Sequence, residues 1–242
     1  MTTHATPRGR RSGVGRARAA LLPTLAVLLL TAACSGSDDG GGDDPSAVLA
    51  EAKSQLDETA GLSLSLTTDE LPDGVDGVLS ATGDGTNAPA FDGDIKMVVN
   101  SITVDVPVVA VDGKVFATLP FTKKFVEIDP ADYGAPDPAD LLSPDGGVSS
   151  WLTEATDVSE GDEVRDGERV LTSYQGTLPG EAVDAVIPTA DEGADFDVTF
   201  QIDEENRLAA ADLMGPFYGS DGQVAYTLEL SDYGTEQDIT AP

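Results

Sequence analysis

The chain has one histidine, His4, and one cysteine, Cys34. Cations are scarce, with 13 Lys and Arg against 44 Asp and Glu, and aromatics are few: seven Phe, five Tyr and one Trp in 242 residues. Each shortage excludes something. A lone cysteine leaves no disulfide framework within the chain, so stability has to come from a packed core. With one histidine near the N-terminus and one thiol, neither a Ser-His-Asp nor a Cys-His set is on offer. A net charge of −31 excludes nucleic acid as a partner, because affinity for it comes from cations that neutralise phosphates.

What is present begins with a basic and then apolar N-terminus. Arg8, Arg10, Arg11, Arg16 and Arg18 occur with no acid among them, and an apolar run from Ala19 to Ala33 follows directly. That order is the n-region and h-region of a secretory signal. The run is short for a bilayer span, which takes about 20 apolar residues, and it ends in Thr31-Ala32-Ala33 before Cys34. Small residues before a cysteine mark a lipobox, although Leu30 lies four residues before Cys34 rather than the usual three. The chain is therefore expected to be cut before Cys34 and acylated there. A diacylglyceryl thioether supplies two chains, each buried methylene contributing ~0.8 kcal/mol, enough for stable anchoring. The expected location is the outer face of the cytoplasmic membrane. Cleavage would remove His4 and five of the basic residues but no acid, leaving 8 cations against 44 acids, a formal charge of −36. That charge favours solubility and opposes broad contact with an anionic bilayer.

The expected organisation is a signal peptide over 1–33, the lipidated cysteine and a flexible acidic, glycine-rich linker over 34–44, and one folded domain over 45–242. Residues 35–44, SGSDDGGGDD, are too polar to bury anything. Asp44 can cap a helix with Pro45 at its first position, in which Val48, Leu49, Ala52 and Leu56 share one face. From Gly61 the period changes to two. Leu62, Leu64 and Leu66 alternate with polar residues, as do Ile95, Met97 and Val99, then Ile102, Val104, Val106 and Val108. Asp112-Gly113 turns the chain into Val115, Phe116 and Leu119, a hairpin signal repeated at Asp166-Gly167. Further strands are expected at Phe196 to Ile202, Leu208 to Leu213 and Val224 to Leu230, making eight to ten in all, nearly all antiparallel. Short helical pieces are expected at Pro138 to Leu142, Val148 to Glu154 and Gly180 to Ile187. Strands in two groups, with helices at the start and in the middle, define an α+β class: a single strongly curved antiparallel sheet, a half-barrel, with helices covering its concave face.

Such a trough leaves one apolar face to be covered, and the covering segments carry few apolar side chains. A space lined by Val, Leu, Ile and Met would suit acyl chains; a core packed to normal density is the competing account. The alternation nominates Leu64, Leu66, Met97, Val99, Val104, Val106, Phe116, Leu142, Trp151, Val186, Phe196, Val198 and Phe200 as its lining. Trp151→Ala or Val106→Trp would then weaken lipid uptake more than folding.

Three segments, AVDGKVFATL (110–119), DPADLLSPDGGVSSWL (137–152) and LELSDYG (228–234), together resemble the mycobacterial LppX, LprA, LprF and LprG lipoproteins in order and separation. That family is related structurally to the LolA and LolB lipoprotein carriers. The resemblance implies a half-barrel closed by helices around a hydrophobic cavity that binds acylated lipids or glycolipids, no cofactor, and an inner-membrane lipid exporter as a partner to a monomeric carrier. Two departures stand out: the chain is more acidic than the family leads one to expect, and Phe125 stands where relatives often carry Trp.

Other chemistry finds little support. Lys53, Lys96, Lys114, Lys123 and Lys124 have no nucleophile motif around them, and with 44 acids a close carboxylate pair carries no information about glycoside hydrolysis. Neither Asp69 to Asp76 nor Asp157 to Glu168 has the spacing of a calcium loop. No metal and no enzymatic activity are expected. Lys123-Lys124 are adjacent cations in an acidic chain, suited to a solvated turn or to a phosphate headgroup. Besides a lipid carrier, the residues allow an accessory or scaffold lipoprotein with a filled core and a protein partner.

Overall fold

A computed structural model describes residues 44–119, 123–220 and 222–242; Cys34, the signal segment and the linker up to residue 43 lie outside the described residues. Helix α1 (Pro45–Glu58) starts where expected: the Asp44 side chain accepts from Ser46 N, and Leu49, Ala52 and Leu56 are buried. Twelve strands follow: β1 (Gly61–Thr67), β2 (Gly77–Thr86), β3 (Ala90–Val99), β4 (Ile102–Val111), β5 (Lys114–Ala117), β6 (Val126–Ile128), β7 (Thr156–Asp166), β8 (Arg169–Pro179), β9 (Asp195–Asp203), β10 (Leu208–Gly215), β11 (Phe217–Ser220) and β12 (Val224–Ser231). Between β6 and β7 come 3-10 turns and α2 (Trp151–Glu154), and between β8 and β9 comes α3 (Gly180–Asp184).

All strands but β11 form one antiparallel sheet in the order β6-β5-β4-β3-β2-β1-β12-β10-β9-β8-β7. The chain thus lays down one wing outward from β1 to β6, crosses the face through the helical segments, and builds the second wing inward from β7 to β12. β1 and β12 join the wings, with Leu64 opposite Leu230 and Leu66 opposite Leu228. Both hairpins foreseen from Asp-Gly are present, with Gly113 and Gly167 at φ 67° and 62°.

The single antiparallel sheet matches the expectation, but it is open and not strongly curled. Closure serves to hide strand edges, and both edges here are protected in other ways. β6 has three residues. β7 is acidic, exposed almost throughout, and has two register irregularities against β8.

Alternation did not nominate β2, β6, β7, β8 or β11, and two of these show why. β2, GVLSATGDGT, and β7, TDVSEGDEVRD, carry too few apolar residues to show a buried face. β2 forms because ladders from β1 and β3 satisfy its backbone on both sides. Its Gly83 lies opposite Gly93, and the fully buried Phe91 ring packs over both, an aromatic covering that restores the contacts two glycines lack. Glycine serves the same end elsewhere on this face: Leu142 sits on Gly85, and the Phe196 ring on Gly215.

Candidate functional site

The apolar face of the sheet is covered unevenly. On the β8–β12 side it is filled by Leu178, Phe196 and Phe200 from the sheet and Phe217 from β11, with Trp151, Leu152 and Val183 from α2 and α3 above. Phe217 stacks edge-on against both Phe196 and Tyr226, and Trp151 Nε1 donates to Ala182 O at 3.0 Å. On the β3–β6 side the cover is a single strap, Pro130–Pro138. Asp129 caps its first turn by accepting from Ala131 N, and Gly134, at φ 65°, reverses it. Its backbone hydrogen bonds are local: Asp132 N to Asp129 O, Gly134 N to Ala131 O, Ala135 N to Pro130 O. Proline suits this position because it brings no N–H that would need a partner on an apolar surface. Asp137, between Pro136 and Pro138, has its carboxyl pushed above the usual range by partial burial, while the Ala139 N–H pulls it back and Asp140 adds to the rise.

Where the strap ends, the sheet face stays open as an apolar groove of about 450 Å³, within the ~300–1,000 Å³ typical of small-molecule sites. Met97, Val99, Ile102, Val104 and Val106 form its floor, with Leu119, Ile128 and Tyr133 along the wall. Under the strap lie two small apolar voids of about 40 and 50 Å³. Met97, Val106, Ile128 and Tyr133 border both the groove and the first void, and Ile95, Ala135, Pro136 and Pro138 border both voids. An unbroken apolar track thus runs from Val99 and Ile102 under the strap to Leu66, Tyr218 and Tyr226.

The thirteen residues nominated from sequence divide by place. Leu66, Met97, Val99, Val104 and Val106 line the groove or the voids. Leu64, Leu142, Trp151, Val186, Phe196, Val198 and Phe200 are packed core. Phe116 falls on the opposite face, because Val115 and Ala117 take the apolar side opposite Ala110 and Val108, leaving Phe116 opposite Val109. The strap and Tyr218 were not nominated; the run of prolines between Asp129 and Pro138 was the available sign. The opposite face carries a wider polar cleft of about 770 Å³ beside the β7–β8 hairpin, lined by Ser63, Asp84, Arg165, Arg169 and Glu229 among others, unsuited to apolar ligands. No group of three or more His, Cys, Asp or Glu could hold a metal among the described residues, and no helix there is long and apolar enough to cross a membrane.

An open antiparallel sheet with a short helical cover and an apolar groove is the architecture of a family of envelope lipoproteins. Residues 44–239 match the model of the LppX_LprAFG lipoprotein family, and the chain belongs to it. It is 29% identical over 160 residues to the lipoarabinomannan carrier protein LprG of Mycobacterium tuberculosis (strain H37Rv), a match covering 65% of this chain and 64% of that one; LprG of Mycobacterium bovis BCG matches equally. The match thus spans somewhat under two thirds of those relatives. Among solved structures, LprF from Mycobacterium bovis superposes with a TM-score of 0.66 at 15% identity, covering 84% of this chain and 99% of that one. Mycobacterium tuberculosis LppX follows at 0.59 and 16%, covering 81% and 98%. These two likenesses show the fold.

Proposed function

We propose that the protein is a carrier of acylated lipids or glycolipids, anchored through Cys34 at the outer face of the cytoplasmic membrane, whose groove shields acyl chains from water during transfer across the envelope. The observation that carries this reading is the apolar track along β3 and β4, bounded mainly by aliphatic side chains and a proline strap. Transfer needs no bond made or broken; each methylene moved out of water contributes ~0.8 kcal/mol. Displacement of the strap, whose backbone hydrogen bonds are local, would join the groove and the voids and lengthen the chamber to take further methylenes. Family membership and the name of its relative LprG support a glycolipid cargo; an inner-membrane exporter that delivers it to a monomeric carrier is the rest of the same proposal.

The β8–β12 side favours a second reading. Its core is filled by its own aromatics, which would suit an accessory lipoprotein with a protein partner. Native extraction mass spectrometry separates the two: residues 35–242 are expressed without the anchor in a lipid-producing actinobacterial host, and stoichiometric co-purifying molecules are identified. A bound multiply acylated lipid supports the carrier. Apo protein that also takes up no added glycolipid supports the scaffold.

A further inference from the structure

We propose that the polar cleft on the face opposite the groove binds an uncharged oligosaccharide laid across the strands; this stands independently of the lipid reading of the groove. The register puts one row of residues along its floor. Thr82 of β2 pairs with Ser65 of β1, Ser65 with Glu229 of β12, Glu229 with Ala210 of β10, and Ala210 with Gln201 of β9. All five line the cleft. Four strand spacings of about 4.8 Å make the row roughly 19 Å long, close to the reach of a chain of linked pyranose rings that crosses the same strands. One spacing approximates one ring, so successive strands would meet successive sugars.

The lining suits hydroxyls. The side chains of Ser65, Thr82, Arg165 and Glu229 have no hydrogen-bond partner or ion pair among the described residues. Together they supply donors and acceptors, and a sugar hydroxyl is both at once. Arg165 and Arg169 line the cleft from the β7–β8 hairpin, and Arg207 lines an adjoining cleft of about 300 Å³ that shares Arg169, Ala209 and Ser231 with it. These are all the arginines after Cys34. A guanidinium presents parallel N–H groups in a planar fork, which matches two neighbouring ring oxygens. Val164, Leu171, Ala209 and Ala210 add an apolar patch beside the polar row, a seat for the C–H face of a ring.

Charge narrows the class. Asp84, Asp166 and Glu229 outnumber the two arginines of the cleft, in a chain that is acidic throughout, so a phosphate, sulfate or uronate ligand is repelled. An apolar ligand would strip water from these groups without replacing its hydrogen bonds. A peptide added as a strand needs an open sheet edge, and β1, β12, β10 and β9 are paired on both sides. An uncharged polyol meets none of these penalties, and the volume of about 770 Å³ is within the range of small-molecule sites.

The test titrates isotope-labelled residues 35–242 with maltotetraose, cellotetraose and mannotetraose, and with tetragalacturonate as their charged counterpart, while backbone amide shifts are followed by NMR. At least one neutral tetrasaccharide is expected to give saturable shifts clustered at Ser65, Thr82, Gln201 and Glu229, and tetragalacturonate none. Arg165→Ala/Glu229→Ala should weaken that binding about tenfold or more, as the loss of charge-assisted hydrogen bonds implies. Its melting temperature should stay that of the wild type, because both side chains are exposed. Val104→Trp, which fills the groove on the other face, should bind the saccharide as the wild type does. Absence of cleft shifts with all three neutral saccharides, equal affinity for tetragalacturonate, or a folded double variant that binds like the wild type would overturn the proposal. None of these outcomes bears on lipid loading, which is read separately by mass spectrometry.

Discussion

Tyr218 and Tyr226 hold their hydroxyls 2.7 Å apart at the inner end of the apolar track, and both reach Val78, a residue of β2 on the far side of β1. Tyr226 Oη donates to the Val78 carbonyl, and the Val78 N–H donates to Tyr218 Oη at 3.2 Å. Each phenol has one proton; with that of Tyr226 committed to Val78, Tyr218 must donate to Tyr226, closing a ring of three hydrogen bonds. The ring sits at the register shift between Val78 and Ser80, where β2 leaves its pairing with β1, and ties that frayed corner to β11 and β12. Gly77 has no side chain because Tyr218 lies where a Cβ would be.

Tyr226→Phe removes the donor to a buried carbonyl and the acceptor for Tyr218. Leaving such groups unpaired costs about 1–3 kcal/mol. A fall in melting temperature of about 3–10 °C is expected by differential scanning calorimetry; an unchanged melting temperature would mean water replaces the phenol at no cost.

The same tyrosines set an alkaline limit. Burial raises Tyr218, Tyr226 and Tyr233 above 10.0, the value each has when unfolded. Folding favours their neutral forms, so the unfolded chain binds fewer protons between the two values and stability falls as pH rises. Their contribution is intact below pH 10 and is lost progressively above it. Tyrosinate absorbance from these three should appear together with the loss of far-ultraviolet circular dichroism; reversible ionisation of every tyrosine near pH 10 in folded protein would contradict the burial.

Much of the fold was legible because alternation and Asp-Gly turns are local signals. Leu62 to Leu66, Ile102 to Val108 and Phe196 to Ile202 are strands for the reason their period gives. The trough looked under-filled because its covering segments carry few apolar residues, but the sheet supplies filling of its own: on β2, β3 and β10, Gly83, Gly85, Gly93 and Gly215 are seats for Phe91, Leu142 and Phe196. Such pairings join residues distant in sequence, and no periodicity reports them. Periodicity also does not say which part of a face is covered by Phe and Trp and which by a strap, so the nominated lining split between groove and core.

Gly215→Ala probes this use of glycine. A methyl there would fall within the Phe196 ring, which has no exposed surface and is wedged against Phe217. Overpacking of this kind costs about 1–3 kcal/mol, so urea unfolding should shift to a lower midpoint with little change in slope. Gly215→Ala combined with Phe196→Leu should recover part of the loss, since the smaller side chain vacates the space; no recovery would place the strain in the β10 backbone.

Val104→Trp and Trp151→Ala separate groove from core. Sequence alone put both positions in one lining, yet Val104 stands on the open floor and Trp151 is 3% exposed with its indole N–H bonded to Ala182. Filling the groove with an indole at Val104 should leave the melting temperature within a few degrees and reduce stoichiometric lipid loading severalfold. Removing the indole at 151 should cost about 3–5 kcal/mol by opening a cavity in packed aromatics, with loading per folded molecule little changed. Equal loss of loading in both variants at matched folded fraction would place the acyl chains beneath α2, through the side of the sheet that its own aromatics fill.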